Sequence, residues 1–368
     1  MKFIFLSLFI FLTACGQVGI VDTPTAANIV TETGEPVAAA FITPSLSPSP
    51  PAPTLPHTAT PSPVPLSTIT PTTTPTPTPT PNLYSQYTIE ALAQRTYGGG
   101  EIDVVAVVEE NDSYKQYIIT YPSDGLTIYG YMTVPAEGDS FPVAIVVHGY
   151  IPPAEYETIA YTRRYVETLV EAGYFVFHPN LRNFPPSDEG ENPFRVGYAI
   201  DLLNLIGIIK TQSQDPYGIL RRAQGDYIHL MGHSMGGGAA LRAVTVWPEA
   251  VRALVLYGSM SGDEGMNFQQ IQQWTNGETG TFELNASPEM LSAISPIYHL
   301  ERLQVPISIH HSLDDQTVPY IWSEQLCQAL QAIQHPVECF AYSGVPHTFR
   351  GAADALFQER MIDFFRQY

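Results

Sequence analysis

The sequence predicts an α/β domain: a mostly parallel central sheet with helices on both faces and antiparallel strands on its N-terminal side. Three observations predict it. From residue 142 onward, short β-branched runs alternate with helical patterns. Several of these runs, such as Val143-Ala144-Ile145-Val146-Val147, are apolar at successive positions, as suits strands covered on both faces. Upstream, strand candidates crowd around turn signals such as Ser123-Asp124-Gly125, which reads as antiparallel hairpins.

In chain order, the β-rich run Ile102-Asp103-Val104-Val105-Ala106-Val107-Val108 is the first expected strand, over 102–108. Strands over 115–121 and 126–134 flank the Ser-Asp-Gly turn. A strand over 142–148 opens the alternation and leads to a helix over 156–172, then a strand over 174–178 and a helix over 196–213. A strand over 227–231 leads into a helix over 236–247, followed by a strand over 251–257. Segment 259–299 interrupts the pattern. It holds Met260, Met266, Phe268, Trp274 and Phe282, and reads equally as a small lid or as a surface excursion with its own minor core. The alternation resumes with a strand over 305–311, a helix over 320–334, a strand over 337–342 and a helix over 352–367. No internal repeat is visible, and nothing before residue 83 has the pattern of propeller blades.

The 368 residues carry a formal charge of −20, and the lysines are Lys2, Lys115 and Lys210. No basic patch can be built from these, which argues against nucleic acid as a partner. Three cysteines exclude a disulfide-dense scaffold and a cysteine-rich zinc module.

Two segments precede the domain. Residues 1–14 read as an export signal: Lys2, then an apolar run from Phe3 to Leu12 broken by Ser7 alone. The run is too short to span a bilayer, which takes about 20 apolar residues. It ends Leu12-Thr13-Ala14-Cys15, which resembles the bacterial lipoprotein box. That resemblance implies cleavage before Cys15, acylation of Cys15, and an extracytoplasmic protein held to a membrane by lipid. Residues 15–82 read as a disordered linker; 31 of the 39 positions from 43 to 81 are Pro, Thr or Ser. Extended at ~3.1 Å per residue, that stretch reaches on the order of 120 Å. The folded domain is expected over 83–368.

The strongest chemical signal is Gly232-His233-Ser234-Met235-Gly236, between the strand ending Leu230-Met231 and the helix opening Gly236-Gly237-Gly238. A strand-to-helix elbow of this kind lifts Ser234 above the sheet, at a helix N-terminus that favours developing negative charge. A serine hydroxyl needs a base held by an acid. Downstream, His310-His311-Ser312-Leu313-Asp314-Asp315 ends a strand and offers two carboxylates, Asp314 and Asp315. His347 follows in Gly344-Val345-Pro346-His347, completing the order serine, acid, histidine. The oxyanion donors are expected to be the Met235 N–H, just after the nucleophile, and the Tyr150 N–H of the His148-Gly149-Tyr150 loop.

These residues resemble the α/β-hydrolase superfamily and, within it, the catalytic domain of the prolyl oligopeptidase family, over about residues 115–368. The resemblance rests on Ser123-Asp124-Gly125-Leu126 with Gly130, the His148-Gly149 loop, Asn180-Leu181-Arg182, Gly232 to Gly237, and Ser295-Pro296. His311 with Asp315 and Val318-Pro319, then Gly344 with His347 and Phe349, complete it. The family places the acid four residues after the strand-end histidine, which selects Asp315. It implies acyl transfer to water through an acyl-serine, with no metal or organic cofactor, on a small-molecule or peptide substrate. The His148-Gly149-Tyr150-Ile151-Pro152-Pro153 loop and Arg182-Asn183-Phe184-Pro185-Pro186 depart from the family's usual wording and leave amide against ester open. A carboxylesterase is therefore the alternative, and an idle binding module of the same fold a third reading.

Three smaller readings complete the sequence. His310 and His311, adjacent on a strand, face opposite ways and so are structural rather than metal ligands. Asn285-Ala286-Ser287 fits a glycosylation sequon that a bacterial export route leaves unused. Cys327 and Cys339, on consecutive elements, stand at similar heights and are read equally as a disulfide or as two buried thiols.

Overall fold

A computed structural model describes residues 20–21 and 84–368. The signal segment, Cys15 and the expected linker, apart from Ile20–Val21, lie outside the described residues. In chain order the regular elements are β1 (Ile20–Val21), α1 (Ile89–Ala93), β2 (Asp103–Glu110), β3 (Tyr114–Ser123), β4 (Leu126–Pro135), β5 (Phe141–Val147), α2 (Arg163–Glu171), β6 (Phe175–Pro179) and α3 (Val196–Gln212). They continue with β7 (Ala223–His233), α4 (Met235–Val246), β8 (Ala253–Tyr257), α5 (Glu264–Trp274), α6 (Pro288–Ile294), β9 (Ile307–Ser312), α7 (Tyr320–Ala332), β10 (Val337–Tyr342) and α8 (Gly351–Gln367).

The strands form one sheet in the order β1-β10-β9-β8-β7-β5-β6-β4-β3-β2. Pairing is parallel from β10 to β6 and antiparallel among β2, β3, β4 and β6, as the clustered turn signals predict. The short β1 adds antiparallel to β10.

Strand alternation sorts the core into two layers. Val143, Ile145 and Val147 of β5 point to the face packed by α3, α4 and α7, while Ala144 and Val146 point to the face packed by α2 and α8. Helix α2 buries one stripe only, Tyr165, Val166, Leu169 and Val170. Helix α3 is buried at every position from Val196 to Ile209, so its apolar residues run all round it.

The expected helix over 156–172 forms only from Arg163. Pro153–Glu155 is a 3-10 turn, and Ile159 takes a φ of 56°, which no right-handed helix contains. Helices α1, α5 and α6 carry no long apolar stripe and went unpredicted. Cys327 on α7 and Cys339 on β10 are joined as a disulfide with Cα atoms 6.4 Å apart. His310 packs on Phe357 of α8 and His311 on Tyr320 of α7, on opposite faces of β9.

Candidate active site

Ser234 sits between the last residue of β7 and the first of α4, with φ 54° and ψ −118°. A backbone in this region costs of order 1–3 kcal/mol and persists only where its surroundings hold it. Here they do: the Ser234 N–H donates to the Tyr257 carbonyl of β8 at 2.9 Å, and the Ser234 carbonyl accepts from Gly237 and Met260, both at 3.0 Å. Glycine is required at 236, because a Cβ there would stand 2.5 Å from the carbonyl oxygens of Val147 and His148. The elbow is thus pressed against the end of β5. Ser234 is 8% exposed, so little of it reaches solvent.

Asp315 and His347, the expected acid and base, lie on loops after the neighbouring strands β9 and β10. Asp315 Oδ2 accepts from His347 Nδ1 at 2.6 Å and from His311 Nε2 at 3.0 Å. Its Oδ1 accepts from the N–H groups of Thr317 at 2.7 Å and Val318 at 2.9 Å. Burial pushes the Asp315 carboxyl up, but the hydrogen bonds from His311, His347 and Val318 outweigh it and hold the group well below the usual carboxylate range. Asp314, the rival acid, turns away and accepts from the Gly344 N–H at 2.6 Å, bracing the loop that carries His347.

The His347 ring lies against the ring of His233, the residue before Ser234, with centroids 4.7 Å apart. Gly258, at φ +50°, leaves room for it: a Cβ there would come within 3.1 Å of His347 Cε1. Among the described residues Ser234 Oγ makes no hydrogen bond, so the bond from Ser234 to His347 is not itself formed in this structure.

The Tyr150 and Met235 N–H groups have no acceptor among the described residues, whereas the Gly149 N–H is taken by the Tyr161 hydroxyl. The Tyr150 side chain is 62% exposed and stands 6.1 Å from Phe184 between ring centroids.

The excursion over 259–299 carries α5 and α6. Asp263 caps α5 by accepting from the Gly265 N–H at 2.8 Å. Met260 clusters with Val318 and Trp322, with Met266 and Ile271 packed alongside, beside the Asp315 loop. Buried ion pairs fasten the excursion to the body. Arg195 meets Glu283 at 2.9 Å and also pairs with Glu264; Glu264 pairs in turn with Arg242 of α4.

Sequence reasoning used His311 as a marker for counting, but it also donates to Asp315; its place four residues ahead of that acid was the available signal. Tyr161 was not singled out, and a lone tyrosine in a turn offers no sequence signal.

Comparisons with known proteins bear on the fold. The prolyl oligopeptidase family model matches residues 222–368, and the alpha/beta hydrolase fold model matches residues 142–286. An uncharacterized peptidase of Bacillus subtilis, YtmA, is 24% identical over 240 residues, covering 63% of this chain and 86% of the relative. Among solved structures, acetyl xylan esterase 1 from Thermoanaerobacterium superposes with a TM-score of 0.55 at 17% identity, over 77% of this chain and 94% of that one. Pyrococcus horikoshii acylaminoacyl peptidase superposes with a TM-score of 0.54 at 17% identity, over 74% of this chain and 50% of that one. The chain thus has the α/β-hydrolase fold, and each of the two family models matches part of it.

Proposed function

We propose that the chain is a serine hydrolase of the prolyl oligopeptidase type, cleaving the amide or ester bond of a small-molecule or peptide substrate through an acyl-Ser234 intermediate. The observation that carries this reading is the 2.6 Å contact from His347 Nδ1 to the Asp315 carboxylate, beside a serine held at φ 54° on a strand-to-helix elbow.

The roles follow from the chemistry. Asp315 holds the His347 proton on Nδ1 and leaves Nε2 bare to accept. Ser234 Oγ attacks the substrate carbonyl carbon as its proton passes to His347 Nε2. The carbonyl oxygen, now negative, is held by the N–H groups of Met235 and Tyr150. Collapse breaks the C–N or C–O bond, and the leaving group takes the proton from His347. Water then repeats the sequence on the acyl-serine and restores Ser234. Esterases with a stand-alone domain use the same three side chains, so ester cleavage remains the second reading.

The setting we propose is extracytoplasmic, with Cys15 lipidated. The Leu12-Thr13-Ala14-Cys15 run supports it, and the Cys327–Cys339 disulfide suits an oxidising compartment.

A paired assay tests the reaction. The full chain in detergent is given nitrophenyl acyl esters and, separately, aminoacyl and prolyl nitroanilides. Turnover of at least one class, lost in Ser234→Ala, is expected. Ester turnover without amide turnover removes the peptidase reading; turnover that survives Ser234→Ala removes the serine mechanism.

A further inference from the structure

We infer that Tyr161 is a positioning residue whose hydroxyl sets the oxyanion loop, the nucleophile elbow and the His347 loop in one alignment; this rests on the serine-hydrolase reading above. Tyr161 lies in the turns just before α2, and its ring is partly buried. Its hydroxyl oxygen accepts from the Gly149 N–H, and its O–H donates to His233 Nδ1 at 3.1 Å. On the far side of that ring, His233 Nε2–H points to the His347 carbonyl at 3.4 Å. One phenol therefore joins three segments that are 84 or more residues apart at the elbow and beyond: the loop after β5, the elbow after β7 and the loop after β10.

The donor directions are mutually consistent. A phenol offers one proton and accepts at its oxygen, and a neutral imidazole offers one donor and one acceptor. The set Gly149 N–H to Tyr161, Tyr161 to His233 Nδ1, and His233 Nε2–H to the His347 carbonyl satisfies each group once. Burial, reinforced by the neighbouring His347, holds His233 well below the usual histidine range and keeps it in this neutral form. Burial likewise raises the Tyr161 phenol and keeps its proton in place.

The arrangement decides which N–H meets the substrate. Gly149 approaches Ser234 so closely that a Cβ on it would lie 3.0 Å from both the Ser234 Cβ and the Tyr161 hydroxyl. With the Gly149 N–H committed to Tyr161, the next N–H along, that of Tyr150, is left without an acceptor and free for the oxyanion. Arg164, three residues on, fixes the phenol's own backbone. Its guanidinium donates to the Tyr161 carbonyl at 2.9 Å and to the Phe349 carbonyl at 3.3 Å, and pairs with Asp354 of α8 at 2.8 Å. Arg164 thus ties the backbone that carries Tyr161 to the backbone two residues after His347.

The test compares wild type, Tyr161→Phe and Ser234→Ala, as full chains, on the best nitrophenyl ester, with a phenylboronic acid as a tetrahedral, oxyanion-forming inhibitor. Losing a whole oxyanion donor costs roughly a hundredfold to a thousandfold in kcat, and misaiming one costs less. Tyr161→Phe is expected to lower kcat at least tenfold, to leave KM within threefold, and to weaken the boronic acid by a factor similar to the loss in kcat. A packing role alone moves neither the split between kcat and KM nor the boronic acid. A folded Tyr161→Phe with wild-type kcat and boronic acid affinity overturns the inference while Ser234→Ala remains inactive. Turnover by Ser234→Ala overturns the underlying reading instead. His233→Leu cuts the same line from its other end; if Tyr161→Phe does not fold, a tenfold fall in kcat with weaker boronic acid binding there supports the inference, and unchanged values overturn it.

Discussion

Replacing Asp315 with asparagine swaps one oxygen for an amide nitrogen, and the surroundings dictate the result. In the wild type all four hydrogen bonds point at the carboxylate: Thr317 and Val318 N–H at Oδ1, His347 and His311 at Oδ2. An asparagine with its NH2 toward the backbone sets donors against two N–H groups, each left unsatisfied at about 1–3 kcal/mol. The other orientation is preferred: oxygen to the backbone, NH2 to the two imidazoles. His347 can meet that NH2 only with a bare Nδ1, so its proton moves to Nε2. An Nε2 that already holds a proton cannot take one from Ser234. In a serine triad this wrong tautomer costs about 10⁴ in kcat, or roughly 5.5 kcal/mol at 1.36 kcal/mol per tenfold. Initial rates on a nitrophenyl ester, with circular dichroism melts on the same samples, measure both effects. A folded Asp315→Asn within tenfold of wild-type kcat refutes the role given to Asp315.

The remaining predictions concern what holds the site together. The disulfide spans 12 residues between the helix that follows Asp315 and the strand that precedes His347. Cys327→Ser should therefore cost about 3 kcal/mol by loop-closure entropy and lower Tm by roughly 5–10 °C; an unchanged melt under non-reducing conditions counts against it. Because Asp315 is held below the ordinary carboxylate range, its stabilisation is complete above the unfolded-state pKa, near 4, and is lost as pH falls through its folded value. Urea midpoints from pH 5 to pH 2.5 should fall less steeply in Asp315→Asn than in wild type, and parallel slopes contradict this. Arg242→Met leaves Glu264 with Arg195 alone in a buried site, and urea unfolding should show a loss of about 3–5 kcal/mol. Gly258→Ala puts a methyl against the His347 ring at a φ of +50°, so kcat should drop while KM holds; an active variant with wild-type kcat rules out that crowding.

The parts of this molecule that sequence displays are those with local signatures. The elbow is one continuous pentapeptide between a strand and a helix, and runs such as Val143 to Val147 declare a doubly covered strand without reference to anything distant. Serine, acid and histidine were legible in order because each ends a strand or a loop of the alternation. In sequence the expectation of Asp315 over Asp314 needs a family pattern; in three dimensions Asp315 contacts His347, while Asp314 accepts from the Gly344 N–H. What stayed hidden depends on residues far apart in the chain. Nothing near Tyr161 announces that its hydroxyl reaches Gly149 and His233, and nothing near Arg195 announces Glu264 and Glu283. The segment 156–162 has helical spacing, but its backbone turns sharply at Ile159, and spacing alone does not report a positive φ.

The most direct measurement is the covalent product itself. A fluorophosphonate, which reacts with an activated serine and mimics the tetrahedral intermediate, is incubated with the full chain and the site of modification is mapped by mass spectrometry. One phosphonyl group per chain is expected, on Ser234, formed slowly or not at all in His347→Ala. Folded wild-type protein that takes no label, or takes it on a different serine, contradicts the claim that Ser234, His347 and Asp315 act as one unit.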